Sequence, residues 1–258
     1  MSWPPFLTGI GVWIWKTRYA ENDDISAIIA KAKEVGLTHV LIKCLDGKCL
    51  HHVRQLRTLV PGLLKVGIKP IPWAYVRGDN PGKEAKLFAS VAGEYGLSNI
   101  VVNAEVEFTS KGDTAVEYMD YLRQFLAFEN IDKPLIGLSS YYLPKNHPNF
   151  PWNQFMSFSE YMLPQVYWYN KDPVKCLEKS LKQTLSYDKP RFVTGQAYSI
   201  MEDELDAFLG ACYRKLLWGA NLWRWGTMSR QMWAVTKLWS EAYQIRYRQS
   251  GESNANSQ

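Results

Sequence analysis

From Ile100 to Phe108 apolar and polar side chains alternate with a period of two. Ile100, Val102, Ala104, Val106 and Phe108 fall on one side, and Val101, Asn103, Glu105 and Glu107 on the other. That period, dense in β-branched residues, predicts a strand over 99–108. Seven more runs are also expected as strands, at 9–16, 38–45, 69–76, 134–142, 161–169, 191–199 and 219–226. Helical segments separate most of them. Asp23-Asp24 opens a helix that Gly36 closes, Asp79-Asn80-Pro81 opens one ending near Gly96, and Pro173 stands in the first turn of another. Further helices are expected over 52–66, where Pro61 breaks or restarts the run, and over 114–130, 202–216 and 229–248.

Eight strand–helix units of roughly 32 residues each, in a chain of 258, match the size of an α/β fold of the single (β/α)8 TIM barrel type. A doubly wound sheet would place a Gly-rich phosphate loop after the first strand, and none is present. No low-complexity linker divides the chain, so one domain is expected over 1–250, with a polar, disordered tail at 251–258. Parallel strands in such folds are covered on both faces. Two carboxylates on a covered face cost several kcal/mol each unless they are paired or open into a wet cleft. Glu105 and Glu107 therefore mark either a functional site or a structural ion-pair network.

Barrel sites gather at the C-terminal strand ends. Those ends supply Trp13 and Trp15, Lys43 and Asp46, then Trp73, Tyr75 and Arg77. The later strands add Asn103, Glu105 and Glu107, Ser139, Ser140 and Tyr141, then Gln165, Tyr167 and Trp168, Gln196 and Tyr198, and Trp223, Arg224 and Trp225. The expected catalytic pair is Glu107 and Glu105. The expected substrate wall is Trp15, Lys43, Trp73, Tyr75, Asn103, Ser140, Tyr141, Gln165, Tyr167, Gln196, Trp223 and Trp225. On a strand the two acids lie about 7 Å apart at Cα, from a rise of ~3.3 Å per residue. That spacing serves retaining and inverting glycosidases alike. Glu107, nearer the rim, is expected as general acid, and Glu105, deeper and ionised, as stabiliser or nucleophile-positioning group, with Lys43 as its counter-ion. The alternative for Lys43 is an outward position between helices.

Composition narrows the class. Net charge is +5 with the basic residues dispersed, which gives no stripe for nucleic acid and suits an anionic polymer such as bacterial cell wall. Eleven Trp and fifteen Tyr are abundant enough to build a sugar-stacking cleft as well as a core. No apolar run reaches the ~20 residues of a membrane span. Met1-Ser2-Trp3-Pro4-Pro5 lacks a secretory pattern, so synthesis in the cytoplasm is expected, with release by lysis the route to a cell wall. Four cysteines form no CxxC pair, and the histidines make no ligand cluster; no metal and no cofactor are expected, and Cys44 is expected as a buried small hydrophobe.

Three stretches carry a family resemblance. Asn103-x-Glu105-x-Glu107 is similar to the D-x-D-x-E motif of family 18 chitinases, and Glu105-Val106-Glu107-Phe108 to the D-x-E-aromatic motif of family 25 lysozymes. Met162-Leu163-Pro164-Gln165-Val166-Tyr167-Trp168 resembles their sixth strand, and Leu222-Trp223-Arg224-Trp225 their eighth. The resemblance implies a barrel hydrolase of N-acetylhexosamine polymers, with Glu107 as the acid and Glu105 holding the substrate's own N-acetyl group. Gln165 and Tyr167 would sit over the scissile sugar, and the eighth-strand Trp beneath it. The chain departs from both families: Asn103 and Glu105 replace two aspartates of family 18, and Trp13 and Trp15 stand where family 25 has an aspartate. Those departures are the features of the alternative, a carbohydrate-binding barrel without turnover.

Overall fold

The computed structural model describes the backbone of residues 7–255 and the side chains of residues 7–248. Met1–Pro5 and residues 256–258 of the expected tail lie outside the described residues; the last helix runs on to Ala255. Nine strands occur among the described residues: β1 Gly9–Ile14, β2 His39–Asp46, β3 Cys49–Leu50, β4 Lys69–Val76, β5 Asn99–Ala104, β6 Leu135–Tyr141, β7 Tyr161–Val166, β8 Thr194–Gln196 and β9 Gly219–Trp223. All but β3 run parallel and close a barrel through pairing of β1 with both β2 and β9. The two-residue β3 folds back antiparallel on the end of β2. The (β/α)8 architecture is as the strand count required.

Helices α1 Ile25–Val35, α2 Val53–Lys65, α3 Pro81–Glu94, α4 Gly112–Phe128, α5 Trp152–Phe158, α6 Pro173–Thr184, α7 Glu202–Arg214 and α8 Arg230–Ala255 cover the outside. Local chemistry starts several of them. The side chains of Asp24, Asn80 and Asp172 each accept from a backbone N–H in the first turn, and Gly36 closes α1 at φ 73°. α2 runs unbroken through Pro61, contrary to the expectation, because Leu56, Leu59, Val60 and Leu63 bury one continuous face. That burial offsets the ~3 kcal/mol a helix-interior proline costs. The seven-residue α5 is too short to leave a helical period and escaped the sequence reading.

The core has two layers. One lies between barrel and helices; the other fills the barrel with Leu41, Ile71, Trp73, Val101, Leu163 and Phe192 among its members. At the barrel's N-terminal end His39 is 2% exposed, and its Nε2 donates to Asn221 Oδ1 at 2.6 Å. Asn221 Nδ2 donates in turn to the Phe192 carbonyl at 3.0 Å, which leaves Oδ1 as the acceptor. Burial, aided by Lys69 and opposed by the Asn221 bond, pushes the His39 imidazole down to about 4. The unfolded chain, near 6.5, binds the proton first, so stability is full above pH 6.5 and falls as pH drops toward 4. The loss amounts to about 3 kcal/mol. Thermal melts from pH 7 to pH 4 are expected to show this slope, and His39→Gln to flatten it; an unchanged slope in the variant would assign the effect elsewhere.

Candidate functional site

A cleft of about 410 Å³ opens at the C-terminal end of the barrel. Its volume is that of a small-ligand site. The floor is a triangle of three indoles from β1, β4 and β9. Trp13 and Trp73 meet edge to face at 5.2 Å, and Trp223 meets each at 5.7 Å. Trp13 Nε1 donates to Thr194 Oγ1 at 3.2 Å and Trp73 Nε1 to the Ile14 carbonyl at 3.3 Å, which fixes both rings. Trp13 and Trp73 are buried, whereas Trp223 and Trp15 stay half-buried and line the opening.

Glu105 forms one wall. Strand β5 stops at Ala104, and Glu105 sits at its very end, followed by a single 3-10 turn, Val106–Phe108. The expected strand to 108 is therefore four residues too long. Phe108 is responsible: it is fully buried, its ring 5.0 Å from Phe155 and 6.5 Å from Tyr118, and reaching that pocket takes the chain out of the sheet. Asn103 Nδ2 and Gln165 Nε2 each donate to Glu105 Oε1 at 3.1 Å. Gln165 Nε2 also reaches Asn103 Oδ1 at 2.8 Å and Ser139 Oγ at 3.2 Å, so three strands hold one carboxylate. Among the described residues no donor meets Glu105 Oε2, and Glu105 lines the cleft.

Glu107 is held differently. Tyr75 donates its hydroxyl to both Glu107 oxygens, each at 2.9 Å, and Arg77 Nη1 lies 3.6 Å from Oε1. Burial, the charge of Glu105 and the bond to Glu107 keep the Tyr75 phenol well above its usual range, a neutral donor at any working pH. Burial and the charge of Glu105 likewise raise Tyr141 and Tyr167, so three tyrosines surround this acid.

Asp46 completes the charged wall. Lys43 Nζ approaches its Oδ2 at 2.7 Å, and Arg77 Nη2 its Oδ1 at 2.8 Å. Burial works to raise the Asp46 carboxyl, but these two partners outweigh it and hold it low. Lys43 points inward, 3% exposed, and pairs with Asp46 in place of Glu105. A register shift between Lys43 and Leu45 makes this possible: it brings residues three apart, which a regular strand would set on opposite faces, to the same side.

The Arg77 loop is itself anchored. Fully buried Glu84 accepts from the backbone N–H groups of Arg77 (2.8 Å), Gly78 (3.2 Å), Asp79 (3.0 Å) and Asn80 (3.3 Å). Glu84→Gln keeps one acceptor oxygen and leaves two of these donors facing an amide, for a cost of about 1–3 kcal/mol. Chemical denaturation is the check, with a change under 0.5 kcal/mol as the contrary result.

With this geometry in hand, solved structures give close matches in shape. The chain superposes on the class V chitinase of Nicotiana tobaccum with a TM-score of 0.67 at 8% identity, covering 92% of this chain and 99% of that one. The spore cortex-lytic enzyme SleL of Bacillus cereus gives 0.69 at 8% identity, over 89% and 73% of the two chains. A glycoside hydrolase family 18 N-acetylglucosaminidase from Paenibacillus barengoltzii gives 0.65 at 8% identity, over 90% and 99%. The fold that these chains share is a (β/α)8 barrel. No protein-family model matches the sequence, and no curated protein aligns with it significantly.

The barrel gathers most of the expected residues into one cleft: Trp15, Lys43, Trp73, Tyr75, Asn103, Glu105, Gln165, Tyr167 and Trp223 all line it. Tyr141 stands at its margin, stacked on His147 of the 143–152 loop at 3.6 Å. Three expected residues of the substrate wall lie elsewhere, and Glu107 too stands outside the lining, joined to it through Tyr75 and Arg77. Ser140 points out of the barrel and is buried beneath the helices, because Ser139 takes the inward position on β6. Gln196 is buried as a brace, accepting from Tyr169 N at 2.7 Å and donating to the Tyr198 carbonyl at 2.9 Å. Trp225, 3% exposed, packs on Trp233 at 4.9 Å and donates to Glu21 Oε1 at 3.0 Å. Trp13, Asp46, Arg77, Ser139 and Arg224 join the wall instead. Their strand-end position signalled all five; which ends face inward required the barrel register. Cys44 is buried, and its burial raises the thiol well above the ordinary range.

Among the described residues no helix is long and apolar enough to cross a membrane, and no group of three or more His, Cys, Asp or Glu side chains is placed to hold a metal ion.

Proposed function

We propose that the cleft binds a polysaccharide and cleaves its glycosidic bonds, with an N-acetylhexosamine polymer, peptidoglycan included, as the substrate class. The indole floor supplies flat apolar faces for pyranose rings, and the wall supplies carboxylates and amides at hydrogen-bonding height. Glu105 is the group that exchanges a proton with the glycosidic oxygen. One observation carries this: Glu105 turns an oxygen without a protein donor into the cleft, whereas both oxygens of Glu107 accept from Tyr75. The two acids expected from the sequence remain the acting pair, with their parts exchanged. Glu107, outside the lining and clamped by Tyr75 and Arg77, contributes its negative charge from behind Tyr75.

A second reading, a carbohydrate-binding barrel without turnover, has its own support. Asp46 is neutralised by Lys43 and Arg77, and Glu107 is engaged by Arg77, which leaves Glu105 as the cleft carboxylate without a cationic partner. Hydrolysis by either stereochemical route uses two carboxyl groups or a substrate N-acetyl in place of one. Reducing-end release from peptidoglycan, chitin oligomers, de-acetylated glucosamine polymers and neutral glucans separates the readings. Turnover on one of them establishes hydrolysis; saturable quenching of Trp fluorescence without turnover establishes the binding barrel.

A further inference from the structure

The charges around the cleft are unevenly matched. On the β2–β4 side, Lys43 and Arg77 are consumed by Asp46 and Glu107. On the β1–β9 side the cations have no such partners: none of the ion pairs among the described residues involves Arg224, Lys16 or Arg18. Arg224 lines the cleft, with its guanidinium 4.3 Å from the Trp15 ring centre and 6.0 Å from that of Tyr19. Lys16 Nζ lies 4.2 Å from the Trp15 ring, so this half-buried indole carries two cations. Trp15 in turn stacks on Tyr19 at 5.8 Å, with the Arg18 guanidinium 4.8 Å from the Tyr19 ring. Beside them a cavity of about 270 Å³ is lined by Lys16, Arg18, His51 and His52 together with Asp23. Burial lowers the affinity of Arg224 for its proton, with Tyr19 opposing it, the mark of a cation short of compensating charge.

We propose that Arg224, held on Trp15 and flanked by Lys16, recognises a carboxylate on the sugar bound in the cleft, so that the substrate class is an acidic glycan. A guanidinium is a planar fork that matches a carboxylate with two parallel hydrogen bonds. Its stacking over the Trp15 ring, 4.3 Å from the ring centre, fixes the fork in the cleft wall. A ring-borne carboxylate would then meet Arg224 while the glycosidic oxygen faces Glu105. Lys16 adds a point charge and Arg18 a more distant one. The carboxylate has two chemical sources, the uronic acid C6 group and a lactyl ether on an amino sugar. This inference rests on the reading of the cleft as a sugar site.

The test is Trp-fluorescence titration with three probes: the N-acetylglucosamine tetramer, tetragalacturonate, and the N-acetylglucosaminyl–N-acetylmuramic acid disaccharide. Each acid is run beside its own methyl ester, so that only the charge differs. For one of the two acids the wild type is expected to bind the free acid about 10-fold or more tighter than the ester, the worth of a charge-assisted pair. Which acid shows the preference names the source. Arg224→Gln should collapse that ratio to within about 2-fold, and Arg224→Lys should leave it between the two. Should Arg224→Gln fail to fold, Lys16→Gln serves, with an expected narrowing of about 2–5-fold. Equal binding of acid and ester by the wild type would overturn the inference while leaving a sugar cleft in place. A preference that survives both Arg224→Gln and Lys16→Gln would overturn the assignment to this rim. No saturable quenching by any probe would overturn the sugar reading and this inference together.

Discussion

Glu105→Gln is expected to lower kcat on the cleaved polymer by about 10²–10⁴-fold, with sugar affinity retained. The substitution is close to isosteric. Its carbonyl oxygen can accept from Asn103 and Gln165, as Oε1 now does at 3.1 Å from each, which turns the amide nitrogen toward the cleft. The wall keeps its shape and loses the group that gives and takes a proton. Reducing-end release read beside Trp-fluorescence titration separates turnover from binding. Glu107→Gln is the companion measurement. Its Tyr75 contact survives through the amide carbonyl, whereas the charge facing Arg77 at 3.6 Å is lost. A smaller fall, and one shared between kcat and KM, is expected. A larger fall for Glu107→Gln than for Glu105→Gln would return the acid's part to Glu107.

Trp73→Ala is expected to remove about 3–5 kcal/mol of stability, the cost of truncating a fully buried aromatic. In a chain of this size that lowers Tm by roughly 6–20 °C. Trp73 is 1% exposed and touches both partner indoles of the floor, at 5.2 and 5.7 Å. Lys43 Nζ also sits 5.2 Å from its ring, so the cavity would open beneath a buried cation. Trp73→Phe restores most of the volume but leaves the Ile14 carbonyl without its donor, at a cost of about 1–2 kcal/mol. Urea unfolding with an unchanged slope is the check. A loss below 1 kcal/mol for the alanine variant would mean that the floor repacks and is not a rigid platform.

Both outcomes bear on the same feature, a rigid aromatic floor with one available carboxylate above it. The floor explains why the barrel tolerates so much polarity at its C-terminal end. The inward amides there are held across strands, as Gln165 of β7 reaches Asn103 and Glu105 at β5 and Ser139 on β6. Such a network is stable while every member is satisfied.

Much of this was legible in the chain itself. Eight strand-like runs separated by helix signals specify a closed parallel barrel, because two-sided burial leaves few other ways to cover so many strands. The period also placed Asn103 and Glu105 on one face, since side-chain alternation is a local property of extended backbone. Local caps at Asp24, Asn80 and Asp172 follow from side chains that reach their own backbone.

Tertiary structure decided the rest. Phe108 leaves the strand for a pocket made by Phe155 and Tyr118, and so separates Glu107 from the wall that carries Glu105. No local period encodes a pocket built from residues far along the chain. The bulge at Cys44 turns Lys43 to Asp46, and the inward choice of Ser139 over Ser140 depends on the register with β5 and β7. Trp225 leaves the cleft because Trp233 and Glu21 offer its ring and N–H better partners outside the barrel. Alternation and capping are set by neighbours in sequence, whereas the pairing of charges and the direction of a strand's last side chain are set by neighbours in space.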